Sequence, residues 1–307
     1  IAAFAARGYR VICPSQLGYC GTSQPERIED YSYKSVAYDM NGILDAVGAG
    51  KVTVFGHDWG GMVAWRFTDY FPHRVICVAS VCTPYLPPAQ PDQPLFSDEE
   101  LVRNKLPNFG YQLFFKTEAA SAKLDEALPQ FLTVSFSAPV RAKLRASGRE
   151  IPQMEVEEGG LEKRVDQMIE TQRKGQAPPL PNDPEFLYYL STFRKYGMHH
   201  PLNWYRNRRA CALEERASPL PATFPAHIPA LLLPAEHDAA LPPAMSDPRK
   251  MRKTFPGGNL RVELLKGADH WALQDAPFRD AVTEKLAAFV EEVLSGKWQP
   301  DAASSKL

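Results

Sequence analysis

An aspartate flanked by glycines is the group in this sequence best suited to do chemistry. It lies in the stretch Lys51 to Tyr70, KVTVFGHDWGGMVAWRFTDY, where a short apolar run ends at Phe55 and helical spacing begins after Gly60. This change of period predicts a strand, a sharp turn and a helix. Gly56 and Gly60 stand on either side of Asp58, and we expect a Cβ at either glycine to obstruct the turn. The Asp58 carboxylate would then project at the carboxyl edge of a sheet.

The same Gly-x-x-x-Gly frame, with serine at its centre, forms the nucleophile elbow of α/β-hydrolases. Asp58 needs no neighbouring base, because a carboxylate is already ionised at neutral pH, and its attack on a carbon gives an ester. The alternative role for Asp58 is that of a helix N-cap, at which aspartate is among the best residues. The motif alone supports both roles.

Two further polar residues follow predicted strands. Asp238 comes after the apolar run of PALLLPAEHDAALPP, and His270 comes after that of VELLKGADHWALQDAP. Asp58, Asp238 and His270 thus appear in the chain order of α/β-hydrolase triads. In such a triad His270 takes a proton from water, while Asp238 holds the imidazole in the right tautomer. His237 and Asp269, which adjoin them, are rival candidates.

The remaining histidines and the cysteines carry no chemistry in this interpretation. The histidines that we interpret as structural are His57, expected on the far side of the elbow, and His73, His199, His200 and His227. His199 and His200 lack partner ligands at metal spacing, so we expect no metal site. The five cysteines are odd in number and form no Cys-x-x-Cys pair, which indicates reduced, structural residues.

The charge and hydropathy of the chain exclude some classes of binding partner. Lys and Arg total 35 against 36 for Asp and Glu, so no basic field points to nucleic acid or to an anionic membrane. No apolar run reaches the length of a membrane span, and no signal peptide heads the chain. We expect a soluble, intracellular protein that acts on a small uncharged molecule.

Strands and helices alternate at both ends of the chain. The predicted strands are Tyr9 to Cys13, Val52 to Phe55, Arg74 to Val81, Ala230 to Leu233 and Arg261 to Leu265, and a closing helix covers Val282 to Val293. This alternation is typical of an α/β fold with a mostly parallel sheet covered by helices on both faces. Residues 1–86 and 217–298 would form the two parts of the core, 87–216 a helical cap inserted between strands, and 299–307 a flexible tail.

Two tyrosines of the predicted cap complete the set, Tyr111 in PNFGYQLFF and Tyr205 in HPLNWYRN. Together with the aspartate elbow, these stretches resemble the epoxide hydrolase branch of the α/β-hydrolases, particularly its fungal members. The resemblance extends from GYRVICPSQLGYCGTS through GHDWGG and CTPYLPP to GADHW, nearly the whole chain. It implies Asp58 as nucleophile, Asp238 and His270 as acid and base, and both tyrosines as proton donors.

The tyrosine role also has a physical basis. Opening an epoxide leaves an alkoxide whose conjugate acid has a pKa near that of water, ~15.7. A phenol has a pKa of ~10, so proton donation is downhill by roughly 8 kcal/mol. Ordinary packing is the alternative for each tyrosine. The expected reaction opens a small apolar epoxide with water to a vicinal diol, without metal or cofactor, and Phe109, Phe114 and Trp204 would contact the substrate.

Two other functions fit parts of the pattern. A haloalkane dehalogenase resembles this chain at Asp58 and Trp59, because the Trp59 indole N–H can bind a leaving halide. A halide, however, needs no proton from the cap tyrosines. The second alternative is a hydrolase-fold binding protein without activity. A serine esterase is disfavoured because no Gly-x-Ser-x-Gly follows any strand.

One family feature is absent from the sequence. In the family, an earlier strand followed by a His-Gly-x-Pro loop contributes a backbone N–H to the oxyanion hole, and this chain has no such motif. The backbone N–H of Trp59 is then the one recognisable oxyanion donor. We expect that N-terminal strands are missing, which leaves unpaired edges between the strands at Tyr9 to Cys13 and Val52 to Phe55. Asp269, directly before His270, is expected to raise the pKa of that histidine.

The chain ends in Ser305-Lys306-Leu307, the tripeptide that the peroxisomal import receptor reads. It follows the polar segment DAAS, as an accessible signal should. The sequence thus predicts import into the peroxisome, with the cytoplasm as the alternative.

Overall fold

The structure, a computed structural model, describes residues 1–147, 156–276 and 278–300. It divides into two compact units. The core unit comprises Ile1–Cys13, Glu29–Pro94 and Arg209–Leu307, and the helical unit comprises Pro14–Ile28 and Leu95–Arg208. The domain boundaries at 87 and 216 stay a prediction.

Within the described residues, four parallel strands form the sheet of the core unit, in the order β1-β2-β3-β4. They are β1 (Val52–His57), β2 (Val75–Val81), β3 (Ala230–Leu233) and β4 (Leu260–Val262). Phe55 pairs with Ala79, Ala79 with Leu231, and Leu231 with Arg261. Parallel strands end at the same edge of a sheet, so the loops that follow them meet there.

Helices alternate with these strands along the chain, and the helical unit consists of helices and loops. In chain order they are α1 (Ala2–Ala6), α2 (Tyr33–Ala46), α3 (Trp59–Tyr70), α4 (Asp98–Asn104), α5 (Gly110–Phe115), α6 (Ala120–Glu126), α7 (Leu128–Phe136), α8 (Ala138–Ala146), α9 (Gly160–Arg173), α10 (Pro184–Tyr196), α11 (His199–Arg206), α12 (Arg208–Ala217), α13 (Pro248–Met251) and α14 (Phe278–Leu294). Between β2 and β3 the described residues contain helices and loops but no strand, as predicted. In the part of the chain that the structure describes, no helix combines the length and apolar character that a membrane crossing needs.

The helix ends follow ordinary sequence signals. Ser97 begins α4 in a capping box, in which its side chain accepts the N–H of Glu100 and the Glu100 carboxylate accepts the N–H of Ser97. Asp183 caps α10 by accepting the N–H of Phe186 at 3.0 Å. Gly197 ends the same helix with φ 72°, a conformation that glycine adopts without strain.

The core of the first unit packs around Trp65 of α3, which is fully buried. Its ring meets those of Tyr85, Phe224 and Phe255 edge-on, at centroid distances of 5.7, 5.5 and 6.2 Å. The Trp65 indole N–H donates to the carbonyl of Thr83 at 3.0 Å. Burial of each such ring stabilises the fold by ~1.5–3 kcal/mol. This packing anchors α3, which begins directly after Asp58.

The predicted strand at Tyr9 to Cys13 is wrong. Its first N–H donates to the carbonyl of Phe4 at 3.1 Å and so closes the turn after α1, and the segment is not in a strand. A strand needs a ladder of bonds to a neighbour, and no described strand pairs with this segment. Ile12 instead packs against the core cluster around α3. The last strand, β4, is shorter than predicted. Beyond it, main-chain bonds from Glu263 to Leu232 and from Leu265 to Pro234, with an isolated bridge between Ala235 and Leu265, continue the pairing.

Candidate active site

Asp58 lies between β1 and α3 with φ 53° and ψ −124°, a conformation that residues with a Cβ seldom adopt. Three donors hold its carbonyl oxygen: the Thr83 hydroxyl at 2.7 Å, and the N–H groups of Gly61 and Met62 at 3.0 and 3.2 Å. Such a backbone costs about 1–3 kcal/mol and persists only where the surroundings impose it. The predicted strand, sharp turn and helix are all present.

The glycines around this turn differ in the space that they leave for a Cβ. A Cβ on Gly56 would lie 2.0 Å from the carbonyl oxygen of Gly60, a main-chain atom that cannot turn aside as the end of a flexible side chain can. A Cβ on Gly60 would meet no atom within 4 Å, so the prediction of an obstructed turn holds for Gly56 and is wrong for Gly60. The second crowded position is Gly61, where a Cβ would lie 2.5 Å from the Ser80 hydroxyl and 2.8 Å from Thr83 Cβ.

The His270 imidazole lies between the two acidic residues predicted to accompany it. Its Nδ1 is 2.8 Å from Asp238 Oδ2, and its Nε2 is 3.1 Å from Asp58 Oδ1. The exposed fraction of the side chain decreases from 34% for Asp58 to 17% for His270 and 0% for Asp238. The structure therefore brings all three predicted residues together.

Main-chain bonds tie the acid loop to the histidine loop. The N–H of His237 donates to the carbonyl of Ala268 at 2.8 Å. Asp238 Oδ1 accepts the N–H of Leu241 at 2.8 Å, which leaves Oδ2 for the imidazole of His270. The orientation of the acid is therefore fixed by its own loop.

Neighbouring opposite charges determine the direction in which the pKa values of His270, Asp58 and Asp238 shift. Burial opposes a charge on His270, but hydrogen bonds to Asp238 and Asp58 raise the pKa of the imidazole well above its usual value. Burial also opposes ionisation of Asp58, yet the hydrogen bond and the charge of His270 hold the pKa of that carboxyl below its usual value. The pKa of Asp238 is lowered by the same partner, against the same effect of burial. The paired charges therefore favour two carboxylates around one imidazolium.

The two carboxylate oxygens of Asp58 have different environments. Oδ1 faces His270, whereas Oδ2 accepts the backbone N–H of Trp59 at 2.6 Å. This N–H is the predicted oxyanion donor, and that role stays a prediction. The Trp59 side chain packs against the cluster of Tyr33, Met62 and Cys211.

The rival candidates beside the triad have other environments. The His237 side chain is 61% exposed, and its Nε2 lies 3.9 Å from Glu236. Asp269 Oδ1 accepts the N–H of Trp271 at 2.9 Å. The hydrogen bonds that raise the pKa of His270 most are those to Asp238 and Asp58. The geometry thus favours Asp238 and His270 over their neighbours in sequence.

The two predicted tyrosines lie side by side in the helical unit. The rings of Tyr111 on α5 and Tyr205 on α11 have centroids 6.1 Å apart. Phe115 packs against both rings, at 5.6 and 4.7 Å. The Tyr111 hydroxyl accepts the side-chain N–H of Gln112 at 3.2 Å. Their role as proton donors stays a prediction.

The three residues predicted to contact substrate belong to the same unit. The Phe109 ring meets that of Tyr111 at 6.5 Å, and the Phe114 side chain is buried. Trp204 is 1% exposed, and its indole N–H donates to the carbonyl of Leu17 at 2.9 Å. Trp204 therefore fastens α11 to the segment 14–28, and substrate contact stays a prediction for all three.

Comparison with known proteins agrees with this geometry. Residues 1–277 match the alpha/beta hydrolase fold family. Epoxide hydrolase srdG of Neurospora crassa is 30% identical to this chain over 303 residues, which cover 94% of the chain and 80% of that protein. The chain belongs to the epoxide hydrolase family.

Two further relatives show the extent of this family match. Bifunctional epoxide hydrolase 2 of Sus scrofa is 31% identical over 284 residues, which cover 90% of this chain and 46% of that protein, so the chain spans about half its length. The crystal structure of epoxide hydrolase A from Mycobacterium thermoresistibile is similar with a TM-score of 0.67 and 29% identity, over 91% of this chain and 81% of that one. The predicted membership of the epoxide hydrolase family is confirmed.

Two residues at the site of this family member are not predicted from the sequence. The expectation that His57 lies on the far side of the elbow is wrong, because its Nε2 is 2.8 Å from the His270 carbonyl oxygen. Cys82, directly after β2, has its Sγ 3.8 Å from the same oxygen. Both residues lie at the carboxyl end of a strand, and this position in the sequence could have indicated that they belong to the site. Ligand atoms of His57, Cys82 and His270 lie within 4.8 Å of one another, and all three residues are engaged in these hydrogen bonds.

Proposed function

We propose that the protein is an epoxide hydrolase that opens an epoxide to a vicinal diol through an ester on Asp58. The observation that carries the proposal is the position of His270, 3.1 Å from Asp58 Oδ1 and 2.8 Å from Asp238 Oδ2. This arrangement supplies a nucleophile and, beside it, a base for the removal of an ester. The names of the relatives support an epoxide as the substrate.

In the first half-reaction Asp58 Oδ1 bonds to the less hindered epoxide carbon, and the bond from that carbon to the epoxide oxygen breaks. We assign the attack to Oδ1 because Oδ2 keeps the shorter bond, 2.6 Å to the Trp59 N–H, whereas Oδ1 lies 3.1 Å from His270 Nε2. Tyr111 and Tyr205 supply the proton that the departing oxygen needs. A phenol, with a pKa of ~10, is a stronger acid than the alcohol that forms.

Formation of the ester changes the histidine. In the resting site the hydrogen bond to Asp58 helps to raise the pKa of His270. The ester carries no charge, so this contribution is lost, the pKa of His270 falls and the proton on Nε2 passes to solvent. Asp238 keeps its bond to Nδ1 and holds the proton there. The base therefore becomes available only after the nucleophile has reacted.

In the second half-reaction His270 Nε2 takes a proton from water, and the oxygen of that water bonds to Cγ of the Asp58 ester. The negative charge develops on Oδ2, 2.6 Å from the Trp59 N–H. A donor of this kind is typically worth about 2.7–4 kcal/mol in the transition state. Collapse breaks the bond between Cγ and Oδ1, so Oδ1 leaves with the diol. The departing Oδ1 takes the proton that the water oxygen brought to Cγ, which completes the diol and leaves Asp58 as a carboxylate. The proton that His270 took from water restores its imidazolium, and the proton that His270 lost on ester formation returns through solvent to the tyrosinate, so one epoxide and one water give one diol.

A panel of aryl and alkyl epoxides with matched haloalkanes tests this function. Diol should form from epoxides, and Asp58→Ala should abolish it. Halide release without diol would favour a dehalogenase. Stabilisation of the fold by epoxides, with neither product, would favour a binding protein.

We further propose that the substrate is small and apolar. The support is the aromatic character of Phe109, Phe114 and Trp204 in the helical unit. Within the epoxide panel, kcat/KM should therefore be higher for aryl and alkyl members than for members with a charged group. A preference for charged epoxides would contradict this.

Import into the peroxisome is also proposed. Ser305, Lys306 and Leu307 lie outside the described residues, so the support is the tripeptide itself. A fluorescent protein fused ahead of residue 1 should give a punctate signal, and extra residues added after Leu307 should make that signal cytosolic. A punctate signal that survives the extension would contradict the proposal.

A further inference from the structure

The main chain of His270 is held by the side chains of two other residues. His57 Nε2 lies 2.8 Å from the His270 carbonyl oxygen, and Cys82 Sγ lies 3.8 Å from it. Among the described residues, this oxygen accepts no main-chain N–H. His270 stands in a loop beyond β4, outside the ladder of the sheet. The two donors come from the ends of β1 and β2, which the parallel ladder does fix.

His57 acts as the donor in this contact. Burial and the nearby charge of His270 lower the pKa of His57 to about 4, so the ring is neutral at physiological pH. A neutral imidazole has one N–H, and a carbonyl oxygen only accepts, so the proton lies on Nε2. The two rings also pack together, with centroids 4.7 Å apart. The contact therefore fixes both the tautomer of His57 and the place of His270.

Cys82 contacts the same carbonyl oxygen of His270 and has a strained backbone conformation. It is fully buried and adopts φ 67°, and its N–H donates to the carbonyl of Leu233 at 2.9 Å. Burial raises the pKa of the thiol to about 11, so it stays protonated and acts as an S–H donor rather than as a nucleophile. Strained backbone of this kind is concentrated at functional sites.

We propose that His57 and Cys82 are positioning residues, which hold the His270 carbonyl so that its imidazole reaches Asp58 and Asp238 at once. The inference rests on the proposed function of the same site. Asp58 attacks the epoxide as a carboxylate, whereas water attacks the ester only with His270 in place. Loss of the two donors should therefore slow hydrolysis of the ester more than its formation.

Matched variants of His57 test this role in the full chain. The amide of His57→Gln keeps an N–H donor near the position of Nε2, and His57→Leu has none. With rapid quenching and mass spectrometry of the ester, His57→Leu should slow ester hydrolysis about 10- to 100-fold, the scale expected when a reacting group is displaced by about 1 Å. Ester formation should change far less, and His57→Gln should restore most of the hydrolysis rate. Cys82→Ala should show the same pattern more weakly, with Cys82→Ser as its control.

A readout without substrate separates this role from the proposed function. The downfield proton resonance of the bond between His270 Nδ1 and Asp238 should shift or broaden in His57→Leu and stay in place in His57→Gln. If the wild-type protein forms no ester, the proposed function fails, and this resonance still tests the positioning role. A wild-type rate of ester hydrolysis with an unchanged resonance in His57→Leu would overturn the inference. Equal slowing of both half-reactions by the Leu and Gln variants would overturn it too, because it indicates a general loss of structure.

Discussion

His270 Nε2 lies 3.1 Å from Asp58 Oδ1, so the proposed base and the proposed nucleophile are in direct contact before any substrate reacts. This contact stabilises a carboxylate and an imidazolium together. It ends when the carboxylate becomes an ester. In the proposed mechanism the charge on Asp58 therefore sets the order of the two half-reactions, with the nucleophile available first and the base second.

Ester hydrolysis should speed up as pH rises, whereas ester formation should not slow until the pH is far below neutral. Hydrolysis needs neutral His270, and formation needs ionised Asp58, whose pKa lies below its usual value. Because esterification removes one of the carboxylates that raise the pKa of His270, the kinetic pKa of hydrolysis should lie below the pKa of His270 in the resting protein. Stopped-flow kinetics and an NMR titration measure the two values. Equal pKa values for ester hydrolysis and for His270 in the resting protein would contradict the loss of the Asp58 charge on esterification.

Replacing His270 by alanine should stop the cycle at the ester. Turnover should fall by about 10³-fold or more, the usual effect of losing a group that acts as part of a unit. Mass spectrometry of the intact protein should then show an increment equal to the mass of the epoxide. The double variant with Asp58→Ala is the control and should show no increment. Accumulation of ester in that control would place the nucleophile elsewhere.

The two glycines on either side of Asp58 should respond in opposite ways to alanine. Gly56→Ala places a Cβ 2.0 Å from the main chain of Gly60, so the elbow must shift, at a cost of about 1–3 kcal/mol of unfolding free energy. Gly60→Ala meets no atom within 4 Å and lies in α3. It should be neutral or stabilise by up to ~1 kcal/mol. Urea denaturation measures both, and equal losses would show that the clash at Gly56 relaxes or that Gly60 is crowded.

A buried charge cluster on α3 gives a pH test of stability. Arg66 Nε lies 2.6 Å from Glu215 and its Nη1 lies 3.4 Å from Asp69, which burial drives to a pKa of about 7 although Arg66 opposes this. Asp69 thus keeps a proton in the folded protein that it loses in the unfolded chain, so its contribution to stability falls as pH rises from about 3.8 to about 7 and then levels off. Asp69→Asn keeps an acceptor for the Tyr85 hydroxyl, which lies 3.2 Å from Asp69.

The advantage of Asp69→Asn over the wild type should therefore grow with pH, by an amount on the order of 1–3 kcal/mol between mildly acidic and mildly basic conditions. Urea denaturation at the two pH values measures it. Asp92→Asn, at an exposed aspartate, is the matched control and should show no such trend. A constant difference between Asp69→Asn and the wild type would contradict the raised pKa of Asp69.

The strands that the sequence predicts best are those with continuous apolar runs. The prediction matches β3 at both ends and β2 to within one residue, because a parallel strand buried on both faces has no polar alternation. Tyr9 to Cys13 has the same local pattern but no ladder, since a strand depends on a partner that local composition does not reveal. The triad is predictable for a related reason, because strands that run in parallel end at one edge and their loops meet there.

The other contacts of the site join residues that are far apart in the chain, so no local sequence pattern predicts them. His57 and His270 are separated by 213 residues in the chain, and only the folded structure brings the ring of one to the carbonyl of the other. The difference between Gly60 and Gly61 likewise depends on which of them faces Ser80 and Thr83 on the neighbouring strand and its loop. Both features follow from packing between elements.

A single turnover in heavy-oxygen water, with enzyme in excess over epoxide, tests most directly whether Asp58 is the nucleophile. If Asp58 forms the ester, Oδ1 leaves with the diol and the oxygen of water stays on Cγ. Mass spectrometry of the peptide that contains Asp58 should then find the label in its carboxylate, and the diol should carry none. Label in the diol, with none in Asp58, would show that water attacks the epoxide directly and would contradict the ester mechanism.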